Sequence, residues 1–212
     1  AIIAVGSMVV QFVINGYGML FLAGFTATNK LYGILEIAAS SYGFAVTSYV
    51  GQNLGARLVG RIKKGMRSAV VIAVITSVVI TFAMLFFGRL ILGLFISGDP
   101  GEVEASLNIA FHYLSIMAVC LPILYLLYIY RSGLMGLGDT VVPMVSGIAE
   151  MIVRMGVVLL LPLVMGQEGV YYAEVGAWTA AALILAGAYY LRIRALSRRK
   201  GFALDEKGGD LR

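Results

Sequence analysis

The sequence predicts an all-α, polytopic membrane protein with six transmembrane helices. Three observations carry that expectation. Of 212 residues, 60% are hydrophobic and only 13% charged, whereas a soluble domain has about a quarter charged and about 45–50% apolar residues. Nearly uncharged runs of bilayer-crossing length, about 20 residues, recur six times along the chain. The breaks between these runs alternate in charge. Core helices of soluble folds are seldom apolar on every face for this length, and six in succession would leave nothing to face water.

The first span is placed at about residues 1–24, within a run that carries no charge up to residue 28. The second, at about 30–52, holds the single acid Glu36. The third, at about 68–97, contains only Arg89, and the fourth, at about 105–132, is uncharged through residue 130. The fifth, at about 140–165, holds Glu150 and Arg154, and the sixth, at about 174–194, is uncharged over 175–191. Residues 1–200 thus form one transmembrane unit and 201–212 a tail. Breaks rich in turn residues fall at 23–30, 51–66, 97–104, 133–140 and 166–174.

Charge placement orients the spans. Segment 57–67 carries Arg57, Arg61, Lys63, Lys64 and Arg67; Arg131 flanks the fourth break, and the tail from Arg192 onward is strongly basic. The intervening breaks 97–104 and 166–174 hold no Lys or Arg but five acids, Asp99, Glu102, Glu104, Glu168 and Glu174. This alternation follows the positive-inside rule and puts the chain's start, segment 57–67, the turn near 131–140 and the C-terminus on the cytoplasmic side. The expected location is the cytoplasmic membrane, with lipid as solvent. The net charge of +5 is accounted for by topology, so no nucleic-acid partner is expected.

Several chemistries are excluded. One cysteine, Cys120, allows no internal disulfide, and one histidine, His112, makes no histidine-cluster metal site. Gly60 and Gly65 have phosphate-loop spacing, but Met66 stands where a lysine is required. No nucleophile elbow or zinc-protease motif is present. The expectation is a protein that is not an enzyme and has no cofactor or metal, drawing any energy from an ion gradient or another subunit. The chain starts at Ala1 inside an apolar run with no basic leader, so it reads as a piece of a longer protein and not as a signal peptide.

Polar side chains inside such spans are costly and gather where they avoid lipid. Ser7, Gln11 and Asn15 are four apart and share one helix face. Tyr32, Glu36, Ser40, Gly43 and Thr47 form a second stripe, and Gly147, Glu150 and Arg154 a third. Glu36 lies six residues past Lys30, roughly 9 Å into its span. It is either a proton or cation carrier or a residue shallow enough to reach interfacial water or Lys30. Glu150 and Arg154 are placed to pair at i,i+4, either locking two helices or exchanging the arginine for a proton or cationic substrate. His112 reads as an interfacial residue, Gly51 and Gly55 as a weak close-packing pair, and Pro122 and Pro143 as bends or starts.

Three stretches, in order, carry a resemblance. Ser7-x-x-x-Gln11-x-x-x-Asn15-Gly-Tyr-Gly18, then Tyr49-Val-Gly51-Gln52-Asn53-Leu-Gly55-Ala-Arg57 with Arg61 and Gly65, then Gly136-Leu-Gly138-Asp139-Thr140 with Pro143, resemble motifs of the MATE (multidrug and toxic compound extrusion) family. The resemblance implies one lobe, the C-terminal six helices, of a twelve-helix transporter built from two related lobes. It further implies a secondary antiporter that exports small organic cations or drugs, driven by protons or sodium, with the N-terminal lobe as partner. Some branches of the family place acids where Ile3 and about Leu124 stand here, so the ligands of those branches are absent. The residues expected to line the pathway are Ser7, Gln11, Asn15, Tyr32, Glu36, Tyr42, Glu150 and Arg154. Two other readings stay open. A flippase for lipid-linked oligosaccharide would need a cavity rich in inward Arg and Lys, and a non-transporting scaffold subunit would have no water-filled cavity.

Overall fold

The structure, a computed structural model, describes residues 2–198, with side chains from residue 8 onward. The expected tail at 201–212 and the side chain of Ser7 lie outside the described residues. Eight helices follow in order: α1 Ile2–Asn15, α2 Met19–Gly55, α3 Val59–Gly93, α4 Pro100–Val119, α5 Leu121–Gly136, α6 Val141–Leu160, α7 Pro162–Met165 and α8 Glu168–Ser197. No strand occurs among the described residues. The protein is an all-α, polytopic membrane protein.

Taking α4 with α5 and α6 with α7, each pair separated by a single residue, the eight helices group as six rods among the described residues. Pro122 near the start of α5 has no N–H to give the preceding turn, and α4 and α5 meet at Cys120 with a bend of 49°. Pro162 sets α7 off from α6 within one apolar stretch, Val141–Met165. Three rods, Val59–Gly93, Val141–Met165 and Glu168–Ser197, are long and apolar enough to cross a membrane, and the bent α4–α5 pair brings the number to four. The described part of α1 has 14 residues, roughly 21 Å at 1.5 Å per residue, so that part by itself covers less than the ~30 Å hydrocarbon core. α2 is long enough, but the polar stripe through Tyr32, Glu36, Ser40 and Thr47 dilutes its apolar content.

Several boundaries differ from the sequence expectation: the break expected at 166–174 narrows to 166–167, since α8 begins at Glu168, and two others change more. The break expected at 23–30 is helical; the chain turns instead at 16–18, where Gly18 takes a φ of 91° open to glycine. No proline interrupts 19–55, and the Thr28 hydroxyl is used by the helix, bonding Gly24 O at 3.1 Å and Ala110 O across on α4 at 2.9 Å. Most of the basic segment 57–67 is also helical, with Arg61, Lys63, Lys64 and Arg67 in the first turns of α3.

α2 runs alongside α4 and α5 in the same direction. A Cβ on Gly24 would lie 2.6 Å from the Ser106 carbonyl oxygen, one on Gly43 2.6 Å from Ser132 Oγ, and one on Gly136 2.7 Å from Val50 Cβ. These near-contacts bring backbones together in the absence of a hydrophobic drive between lipid-embedded helices. Inside, aromatic rings stack: Phe25 on Tyr113 at 4.8 Å, Tyr113 on Tyr171 at 5.1 Å, and Phe21 on Tyr171 at 5.8 Å between centroids. Outside, α3 presents Phe82, Phe86, Phe87 and Leu90, all exposed, as a lipid-facing rod does.

The C-terminal ends of α2 and α5 close with the same motif. Leu58 N–H bonds Asn53 O and Arg57 N–H bonds Leu54 O; likewise Asp139 N–H bonds Leu134 O and Gly138 N–H bonds Met135 O. This pairing needs one residue in the left-handed region. It is Gly138 (φ 80°) in one case and Arg57 (φ 63°) in the other. Because a side chain in that region costs roughly 1–2 kcal/mol, Gly138→Ala is expected to destabilise by about that amount and Arg57→Gly to stabilise. Melting of both variants in detergent checks the opposite signs.

Candidate functional site

Each helix around the central cavity contributes a pair of side chains on one face. Tyr32 and Glu36 come from α2, Tyr128 and Arg131 from α5, Glu150 and Arg154 from α6, and Glu174 and Trp178 from α8; each pair is three or four apart and so aligned. They line a cavity of about 560 Å³, closed further by Leu124, Leu127, Pro143, Met144, Gly147, Ile148 and Met151. Ion pairs join three of the four helices. Arg131 reaches Glu150 Oε2 at 2.8 Å, Arg154 reaches Glu150 Oε1 at 3.1 Å, and Arg154 also meets Glu174 at 2.9 Å. On the fourth helix, Glu36 accepts a hydrogen bond from the Tyr128 hydroxyl at 2.5 Å. Tyr32 stacks on Trp178 at 5.4 Å, giving the wall an aromatic face.

The site is sheltered but not sealed: the charged side chains of Arg131, Glu150, Arg154 and Glu174 keep 14–25% of their surface exposed. Three carboxylates face two guanidinium groups, so the formal charge of the cavity is one negative. The Nε atoms of Arg131 and Arg154 are buried without an acceptor among the described residues. A cavity with surplus negative charge, aromatic faces and partial access to water is chemically fit to hold a cation.

The structure brings together only part of what the sequence singled out. Tyr32, Glu36, Glu150 and Arg154 line the cavity, and the Glu150–Arg154 pair forms at i,i+4. Gln11 and Asn15 do not line it; both are exposed on α1 and bond each other at 2.9 Å. Tyr42 turns away, because it lies six residues past Glu36 and so about 120° round α2 from it. Its hydroxyl meets Thr76 at 2.9 Å, and it lines a separate apolar hollow of about 420 Å³ with Tyr49, Met66 and Ile72. Thr47 and Gly43 pack on Ser132, and His112 lies against the Tyr171 ring at 5.5 Å.

The loop motifs hold helix ends. Asn53 donates to Tyr49 O at 2.8 Å, and the Tyr49 hydroxyl donates to Arg61 O at 3.1 Å, tying α2 to α3. Gly51 packs toward Gly136, whereas Gly55 meets nothing within 4 Å and Gln52 is exposed. Asp139 accepts the N–H groups of Val141 and Val142 at 3.2 Å each and pairs with Arg192 Nε at 2.7 Å, joining the α5–α6 turn to α8; the neighbouring Thr140 is exposed. Burial pushes the Asp139 carboxyl up, but the Val142 N–H, Arg192 and the Val141 N–H outweigh it and hold the group below its ordinary value of 3.8. A carboxyl held low in the fold adds stability above its unfolded value, and that contribution disappears as pH falls through the folded value. Asp139→Asn is therefore expected to lower stability at neutral pH, with the difference from the parent closing below about pH 4. Unfolding followed between pH 3 and 7 tests this.

Tyr128, Arg131, Glu174 and Trp178 were not in the expected pathway. Arg131 read as an inner flank and Glu174 as an acid of an outer break; both point into the cavity. For Glu174 a signal existed, since Tyr171, Glu174, Trp178 and Ala181 follow one helix face and the other three are buried. Arg131 carried none beyond its place at the end of an apolar run.

The sequence profile of the family described as MatE matches residues 1–160. No curated protein sequence matches. Among solved structures, the chain is similar to a MOP superfamily transporter from Pyrococcus furiosus, described as having a binding pocket of reverse polarity that suggests a different function. That match has a TM-score of 0.80 and 17% identity, over 96% of this chain and 46% of that one. It is also similar to an inward-facing multidrug resistance MATE family transporter of the MOP superfamily, with TM-score 0.78 and 18% identity over 94% and 46%. A crystal structure of MATE in complex with MaL6 gives TM-score 0.78 and 18% identity over 92% and 42%. The chain spans less than half the length of each of these structures, and the likeness is one of fold.

Proposed function

Because the chain belongs to the MatE family of membrane transporters, we propose that it forms one lobe of a secondary antiporter that moves organic cations or drugs outward, driven by protons or sodium. The single observation that carries this reading is the cavity's surplus of one negative charge among four helices. Tyr32 and Trp178 add aromatic faces of the kind that attract cations. An N-terminal lobe supplies the second wall, since alternating access requires two bodies that rock about a shared site. The basic inner ends support a cytoplasmic-membrane location with the C-terminus inside.

The flippase reading calls for inward cations, and Arg131 and Arg154 do face inward, yet each is matched by a carboxylate. The scaffold reading calls for no cavity of this kind. The deciding experiment places the transporter, with both lobes, in proteoliposomes under an imposed proton or sodium gradient. Tetraphenylphosphonium, a lipophilic aromatic cation, is expected to accumulate against its gradient while an anionic dye does not. Movement of anionic lipid-linked cargo alone would favour the flippase, and movement of nothing the scaffold.

A further inference from the structure

We propose that the apolar hollow between α2 and α3 is a binding site for an anionic phospholipid, with an acyl chain in the hollow and the headgroup phosphate on Arg61 and Lys64. The site stands apart from the antiporter reading and does not depend on what the central cavity carries.

The hollow has the dimensions of a lipid slot. It encloses about 420 Å³, walled by α2 from Tyr42 to Val50 and by α3 from Gly65 to Ile72. Each wall runs roughly 10–12 Å along its helix at 1.5 Å per residue, within one leaflet of a ~30 Å hydrocarbon core. Two bonds tie the helices together near its ends. The Tyr42 hydroxyl meets Thr76 at 2.9 Å at the deeper end, and the Tyr49 hydroxyl donates to Arg61 O at 3.1 Å near the α2–α3 turn. Gly65 seats the Tyr49 ring, since a Cβ there would overlap it. The wall residues Tyr49 and Ile72 remain 40% and 51% exposed, so the hollow is open on its outer side. Left empty among lipid tails, such a space forfeits the dispersion contacts of its lining.

Charge selects the occupant. Arg61 and Lys64 stand on the face of α3 that carries Gly65, Ser68 and Ile72, and both are exposed. Helical side chains lean toward the N-terminus of their helix, so the two cations reach away from the hollow and toward the turn, where headgroups lie. Neither meets a carboxylate within 4 Å among the described residues, whereas Arg89, Arg131, Arg154 and Arg192 are each paired. A zwitterionic lipid would leave this charge unbalanced. A second copy in the same orientation has no described carboxylate to offer. Asp99, Glu102, Glu104 and Glu168 stand at the opposite ends of the rods, and Asp139 is taken by Arg192. An anionic headgroup supplies the missing charge from the membrane itself.

The test uses the two-lobe transporter in proteoliposomes that contain a trace of phosphatidylglycerol with a photoreactive diazirine in its acyl chain. The matched phosphatidylcholine is the control, and labelled peptides are mapped by mass spectrometry after illumination. Phosphatidylglycerol is expected to label residues 42–50 and 65–72 about tenfold or more above phosphatidylcholine, as two cations near an anionic lipid give. Arg61→Gln combined with Lys64→Gln is expected to erase that difference, while Arg61→Lys keeps it. Ile72→Trp, which fills the slot, is expected to abolish labelling there by both lipids. Equal labelling by the two lipids in the parent overturns the proposal, and so does a preference that survives in the double glutamine variant. Labelling of the exposed Phe86 without labelling of the hollow means that the other lobe or a second copy covers it, which also overturns the proposal. Should the double variant fail to fold, salt decides. Raising sodium chloride from about 0.1 to about 1 M shortens the screening length from about 10 to about 3 Å and is expected to reduce the preference in the parent; a preference indifferent to salt overturns the assignment. None of these readouts requires transport, so the antiporter reading stands or falls separately, on cation uptake.

Discussion

Glu150→Ala is expected to lower the stability of the lobe by about 3 kcal/mol, the lower end of what breaking a buried ion pair costs. Glu150 is the shared acid of the cavity, with one oxygen on Arg131 and the other on Arg154. Without it Arg131 has no carboxylate within 4 Å among the described residues, while Arg154 keeps Glu174. The lower end applies because these side chains retain 14–25% exposure, and water reaching them softens the loss. The cost lies in the stranded charge, not in the strength of the pair, so removing both partners should be mild. Glu150→Leu combined with Arg131→Leu is expected to regain most of the stability. Unfolding of the single and double variants in detergent measures both; a single variant as stable as the parent would mean the pair is effectively solvated.

Gly24→Ala is expected to cost about 2–3 kcal/mol, in the upper part of the range for overpacking. The added methyl would stand 2.6 Å from the Ser106 carbonyl oxygen and 3.1 Å from the Ala110 nitrogen. Both are backbone atoms of α4, so no rotamer change relieves the contact and the helices must part. Parting them also stretches the Thr28 hydroxyl's bond to Ala110 O. Gly33 provides the contrast, with nothing within 4 Å of its added methyl; Gly33→Ala in the same helix is expected to gain up to about 1 kcal/mol from helix propensity. Thermal melts of the two variants should move in opposite directions. Equal shifts would refute close packing at Gly24.

Hydropathy made the helical class and membrane setting legible, because uninterrupted apolar runs have few other uses. Boundaries were less so. Lys30 and the polar residues near it read as a break, yet they are compatible with a helix, and the turn came where Gly18 permits its backbone. Of the α2 stripe, Tyr32 and Glu36 share the cavity face, whereas Tyr42, singled out apart from that stripe, is out of phase with them and meets α3. Arg131 and Glu174 were assigned by counting charges per break, a measure that treats every terminal charge as solvated. Their partners sit on other helices, and a one-dimensional pattern has no term for that. Glu150 and Arg154 were found because their pairing is local.

The Arg131–Glu150–Arg154–Glu174 arrangement has a consequence for how this chain diverges. Each member neutralises the next, so losing or inverting any one is costly until a neighbour changes with it, whereas a coordinated replacement is nearly free. Across descendants of this sequence, positions 131, 150, 154 and 174 should therefore drift in concert, while Glu36 stands outside that bargain and varies independently of them.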